Sequence, residues 1–98
     1  MSFITISLGS NIEPQLNLEK AINEIAKFAV LEKTSKIYKS KSVGFEGNDF
    51  LNQVILCEVK VELEETYFKL KKIEKEMGRV KTLLKEKNSF LNEVEKIN

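Results

Sequence analysis

Three groups of residues in this 98-residue chain have the side chains and spacing to do chemistry. The first is Gly9-Ser10-Asn11, which closes the run Phe3 to Leu8. A glycine at the end of a strand lets a ligand come close to the backbone. Ser and Asn beside it offer hydrogen-bond donors and acceptors. The same three residue types are also the usual makeup of a turn, so the motif alone does not separate a site from a bend. The second group is Val43-Gly44-Phe45 followed by Asp49-Phe50-Leu51-Asn52. Phe50 and Asn52 are two apart and project from one face of an extended segment. An aromatic face beside a primary amide suits a flat heteroaromatic ligand, the ring by stacking and the amide by offering one donor and one acceptor. The plainer alternative is a core Phe beside a surface Asn. The third group is Glu74 with Gly78-Arg79-Val80-Lys81. On a wheel of about 100° per residue, Glu74 falls between Leu70 and Tyr67, inside an apolar stripe. A carboxylate there must pair, reach a rim or meet a ligand. Arg79 and Lys81 at a helix end could hold phosphate, or simply complement the helix dipole.

Composition removes other chemistries. The chain has a single cysteine, Cys57, and no histidine. An internal disulfide, a thiolate zinc cluster and every Ser-His or Cys-His dyad are therefore excluded. Cys57 lies in Val54-Ile55-Leu56-Cys57 and reads as a buried strand residue. Sixteen basic residues against fifteen acidic ones give a net charge of +1, which offers no general attraction to nucleic acid or anionic membrane. No apolar run approaches the roughly 20 residues that span a bilayer, and Met1 does not open onto a secretory signal pattern. The expected location is cytoplasmic.

The elements that must position these groups follow from periodicity. Ile4, Ile6 and Leu8 alternate with Phe3, Thr5 and Ser7, which predicts a strand. Pro14 fits the first turn of a helix whose stripe is Leu18, Ala21, Ile22, Ile25 and Ala29. A second strand is expected around Val30 to Tyr38. Residues 39–49 carry turn formers and read as a loop. Phe50 to Val61 regains strand character. A second helix is expected from Leu63 to Met77 with Thr66, Tyr67, Leu70, Ile73 and Met77 inward. Beyond Lys81, Leu83, Phe90, Val94 and Ile97 fall at helical spacing. The order β-α-β-β-α predicts an α+β, ferredoxin-like two-layer sandwich. Its fourth core strand is expected to be missing and replaced by an amphipathic C-terminal helix. The domain so defined is 1–81, with a helical tail at 82–98. With that strand absent, Phe3 to Leu8 would be an exposed edge ready to pair with another chain, so a homodimer is expected.

Taken in order, the motifs resemble the 6-hydroxymethyl-7,8-dihydropterin pyrophosphokinase family. The resemblance rests on Ile6-Ser7-Leu8-Gly9-Ser10-Asn11, Thr34-Ser35-Lys36-Ile37-Tyr38, Asp49-Phe50-Leu51-Asn52, and Glu74 with Gly78-Arg79-Val80-Lys81, across residues 3–81. It implies ATP-dependent pyrophosphoryl transfer to a pterin in folate biosynthesis, with ATP and Mg²⁺ as cofactors. It implies pterin contacts from Gly9, Val43, Phe50 and Asn52. Lys71, Glu74, Arg79 and Lys81 would line the nucleotide side. The chain departs from the family at Ser40-Lys41-Ser42, where Thr-Pro is usual, and at Lys71, where a glutamine is usual. It also lacks the Asp-x-Asp pair that holds magnesium in the family, its last aspartate being Asp49. No catalytic or metal-ligating residue is therefore assigned. Two further readings are a non-catalytic pterin- or nucleotide-binding relative and a dimerising interaction module.

Overall fold

The computed structural model describes residues 2–40, 49–78 and 80–86, the last four of these as backbone only. The chain runs β1 (Ser2–Ser10), α1 (Pro14–Ile25), β2 (Ala29–Thr34), β3 (Tyr38–Ser40), β4 (Phe50–Val59), α2 (Leu63–Met77) and β5 (Lys81–Glu86). The strands form one antiparallel sheet in the order β2-β4-β1-β5, with β3 also pairing to β4. Two helices against an antiparallel sheet make an α+β sandwich, compatible with the expected ferredoxin-like class.

The alternation of β1 decides which face is core. Ile4, Ile6 and Leu8 are buried, and they join Leu18, Ala21 and Ile25 of α1 with Leu70 and Ile73 of α2. Ile55, Cys57 and Val59 of β4 complete the layer. Each fully buried aliphatic side chain of this kind contributes about 1.5–3 kcal/mol. Cys57 is fully buried, and burial pushes its thiol up to about 11.

Several expectations need correction. The tail beyond Lys81 does not begin as a helix: Lys81–Glu86 is the fourth core strand, paired to β1 from Ile4↔Glu86 to Gly9↔Lys81. The boundary drawn at residue 81 falls inside this strand. Leu83 and Phe90 are seven apart, a spacing that says nothing about the six residues before Lys87. What decides them is tertiary: β1 has a second row of backbone polar groups that must be satisfied. The edge at Phe3 to Leu8 is therefore covered, which removes the ground for a dimer paired through it. Residues 87–98 lie outside the described residues. Further corrections are smaller. Ala29 opens β2 instead of extending the α1 stripe, because the helix closes with Ala26 N–H donating to the Ile22 carbonyl. The segment 30–38 is two strands, β2 and β3, with a register shift between Leu31 and Lys33. Tyr67 lies outward, 47% exposed, because Thr66 takes the inward place and donates its hydroxyl to the Glu62 carbonyl.

A thiol reagent at pH 8 tests this packing. Cys57 should stay unmodified in the folded protein, since both burial and a raised pKa suppress the thiolate. It should react promptly in urea. Rapid modification without denaturant would contradict the placement of Cys57 in the core.

Candidate functional site

Four strands bring one residue each into a single row across the sheet. Gly9 of β1 lies opposite Asn52 of β4 on one side and opposite Lys81 of β5 on the other. Asn52 in turn lies opposite Tyr38 of β3. Directly opposed residues in an antiparallel pair share a face. This row occupies the face away from the helices, since Gly9 is one residue out of step with Leu8 of the core. Phe50 is two residues before Asn52 and stands on the same face.

Two hollows meet along this row. One, about 420 Å³, lies over the sheet and is lined by Ser7, Gly9, Tyr38, Phe50, Asn52 and Lys81 among others. The other, about 460 Å³, lies past the end of β1 and is lined by Gly9, Asn11, Ile12, Phe50, Glu74 and Lys81 among others. Gly9, Phe50 and Lys81 are common to both, so the two hollows adjoin along these residues.

The glycine is required by contact. A Cβ at position 9 would meet Asn52 Oδ1 at 3.0 Å and Phe50 Cδ1 at 3.8 Å. Its absence lets the amide and ring close over the strand. Ser10 and Asn11 divide the rest of the motif between them. Ser10 is buried and donates its hydroxyl to the Ile12 carbonyl at 3.1 Å, so it shapes the turn. Asn11 lines the second hollow. Asn52 Nδ2 donates to Ser40 Oγ at 2.8 Å and reaches the Tyr38 carbonyl at 3.4 Å. These contacts fix the amide with its oxygen lying over Gly9.

Glu74 has a structural task. One carboxylate oxygen accepts the Thr82 backbone N–H at 2.7 Å, and the other pairs with Lys71 Nζ at 3.0 Å. Its own backbone carbonyl accepts the Gly78 N–H at 2.8 Å. Gly78 stops α2 in the left-handed region, φ 64°, where glycine has no Cβ penalty. Glu74 thus holds the whole connection from α2 to β5 while its side chain remains part of the second hollow. Lys71 lines neither hollow. It reaches back to Glu74 and lies 5.5 Å from the centre of the Tyr67 ring. The hydrogen bond and charge of Glu74 hold the Lys71 ammonium above its ordinary value.

Of the residues expected from the sequence, Gly9, Phe50, Asn52, Glu74 and Lys81 come together, and Lys71 joins them only through Glu74. Val43 and Arg79 lie outside the described residues. Sequence reasoning singled out Asn11 in the Gly9-Ser10-Asn11 motif but missed Ser40 and Thr82 as contributors. Ser40 was available as a signal, because it is two after Tyr38 and shares its face, but the segment reads as loop. Among the described residues no group of three His, Cys, Asp or Glu side chains could hold a metal ion.

Glu74→Ala should lower unfolding free energy by about 1.5–3 kcal/mol, the range for a hydrogen bond to a charged group. Glu74→Gln keeps the acceptor for Thr82 and should recover much of that loss. Urea titration measures both, and the Thr82 amide should exchange faster with deuterium in the alanine variant.

Comparison with known proteins identifies the family. The sequence matches the family profile described as 7,8-dihydro-6-hydroxymethylpterin-pyrophosphokinase (HPPK) over residues 5–97. It is 38% identical over 81 residues to a 2-amino-4-hydroxy-6-hydroxymethyldihydropteridine pyrophosphokinase of Aquifex aeolicus, covering 81% of this chain and 51% of that one. It is 34% identical over 85 residues to the folic acid synthesis protein fol1 of Pneumocystis carinii, covering 82% of this chain and 11% of that protein. The chain therefore spans about half the length of the Aquifex relative and a small part of the Pneumocystis one. A crystal structure of an unknown protein from Galdieria sulphuraria superposes with a TM-score of 0.61 at 17% identity, over 87% of this chain and 49% of the other. At that identity the likeness concerns the fold alone.

Proposed function

The chain belongs to the 7,8-dihydro-6-hydroxymethylpterin-pyrophosphokinase family, and from that premise we propose that its sheet-face hollow holds a pterin and the adjoining hollow the phosphates of ATP. The observation that carries the reading is the row Tyr38, Asn52, Gly9 and Lys81, with Phe50 where the two hollows meet. Gly9 makes room over β1 for the Asn52 amide and the Phe50 ring that meet the flat ligand. Phe50 stacks on its rings, and the Asn52 amide bonds its polar edge. Lys81, an exposed ammonium between the hollows, faces the phosphates that must approach the pterin's hydroxymethyl group. The transfer moves a pyrophosphoryl group from ATP to that hydroxyl, as the family does.

Magnesium in such a reaction neutralises phosphate charge. Among the described residues no group of three His, Cys, Asp or Glu side chains could hold it. The reading therefore assigns substrate holding to these residues. It also places the protein in the cytoplasm, where a folate-pathway enzyme would meet ATP. No helix among the described residues is long and apolar enough to cross a membrane.

Calorimetric titration with 6-hydroxymethyl-7,8-dihydropterin tests it directly. Wild-type protein should bind, and Asn52→Ala should weaken binding by about twofold to a hundredfold, as expected for losing one or two hydrogen bonds at about 0.5–1.5 kcal/mol each. Equal affinity in the two proteins would remove Asn52 from the site. Turnover with ATP and magnesium, followed in the same samples, separates a transferase from a protein that binds pterin without reacting it.

A further inference from the structure

Ser7 stands on the ligand-side face of β1, two residues before Gly9, and lines the sheet-face hollow. Its Oγ is closed off from water and, among the described residues, is the buried side-chain polar atom without a hydrogen-bond partner. Other buried hydroxyls are satisfied. Ser10 bonds the Ile12 carbonyl, and Thr66 bonds the Glu62 carbonyl. Ser35 bonds the Lys36 carbonyl and receives the Val54 N–H. An enclosed, unpaired polar group costs about 1–3 kcal/mol, so an alanine at position 7 would fold more easily. The neighbours in register do not help, because Ser7 lies opposite Val54 and Leu83, which bring no side-chain donor or acceptor.

We propose that Ser7 Oγ is a substrate contact, completing its hydrogen bonding with the flat heteroaromatic ligand of the sheet-face hollow. This rests on the pterin reading of that hollow. Ser7 and Asn52 are diagonal neighbours on adjacent strands, a separation of about 7–8 Å. A fused two-ring heteroaromatic spans that distance between polar groups on its opposite edges. Asn52 takes one edge, and Ser7 takes a ring nitrogen or exocyclic group one row further along β1. A hydroxyl both donates and accepts, so it can serve either kind of group. A lining side chain must swing aside as the ligand enters. Lys81, exposed on a flexible four-carbon stem, is the one best built to do so.

The test compares wild type, Ser7→Ala and Asn52→Ala by calorimetric titration with 6-hydroxymethyl-7,8-dihydropterin, together with thermal unfolding of each. Ser7→Ala should weaken binding about three- to tenfold, the change one neutral hydrogen bond carries. Its melting temperature should hold or rise, because an unpaired hydroxyl has been removed. If wild type binds and Asn52→Ala is weakened while Ser7→Ala binds as wild type does, the Ser7 contact is wrong and the pterin reading stands. A lower melting temperature with unchanged affinity makes Ser7 a structural residue and also overturns the contact. If wild type fails to bind the pterin, both fall together.

Discussion

The hydrogen bond from the Thr82 amide to the Glu74 carboxylate sets where β5 begins, and the site follows from that. Among the described strands β5 is at the edge, so its outward N–H groups have no ladder partner there. Glu74 takes the one on Thr82 and so pins the strand to the end of α2. A slip of one residue would turn every β5 side chain to the opposite face. Lys81 would then leave the ligand side and face the helices. One carboxylate thus decides that the ammonium opposite Gly9 points into the hollows. Gly78 makes the geometry reachable, since its left-handed turn brings the chain round within a few residues of the helix end.

The two faces of β1 explain the rest of the arrangement. Ile4, Ile6 and Leu8 serve the core, and their exact alternates Ser7 and Gly9 serve the hollow. The small residues lie where a ligand needs room, and the branched ones where helices pack. With no Cβ at Gly9, the Asn52 amide and the Phe50 ring can lie close against the strand. The Asn52 amide is itself held by Ser40 and Tyr38 from the short strand β3. A side chain fixed by its neighbours loses less freedom on binding than one that must be ordered by the ligand.

Much of this was legible in the residues, and the failures have physical causes. The period-two pattern of β1 and the stripes of α1 and α2, Tyr67 and Ala29 apart, located the core, because local periodicity and burial agree there. The wheel marked Glu74 as a carboxylate in an apolar stripe, and it is indeed half-buried and paired. What the wheel could not give was its partner, since Thr82 offers a backbone N–H that any residue would carry. β5 was misread because Lys81–Glu86 has little pattern of its own, and its strand form comes from pairing with β1. Ser40 was lost in a segment that looks like loop. Ser7 was placed on the right face, but only a three-dimensional count of partners singles out its hydroxyl.

The charges near the second hollow form a balance that bears on polyphosphate. A carboxylate there would repel phosphate, and Glu74 contributes to the lining. Lys71 lies at 3.0 Å from it and offsets that charge at close range. The same contact raises the Lys71 pKa, so the ammonium stays protonated further into alkaline conditions than an isolated lysine. The pair is partly exposed, and its contribution to folding is correspondingly small. Its value lies in the field it leaves behind. With Glu74 and Lys71 occupied by each other, Lys81 is the described cation that remains at the junction of the hollows. A carboxylate can therefore do structural work beside a phosphate site provided that a cation on the same helix, one turn back, cancels its charge.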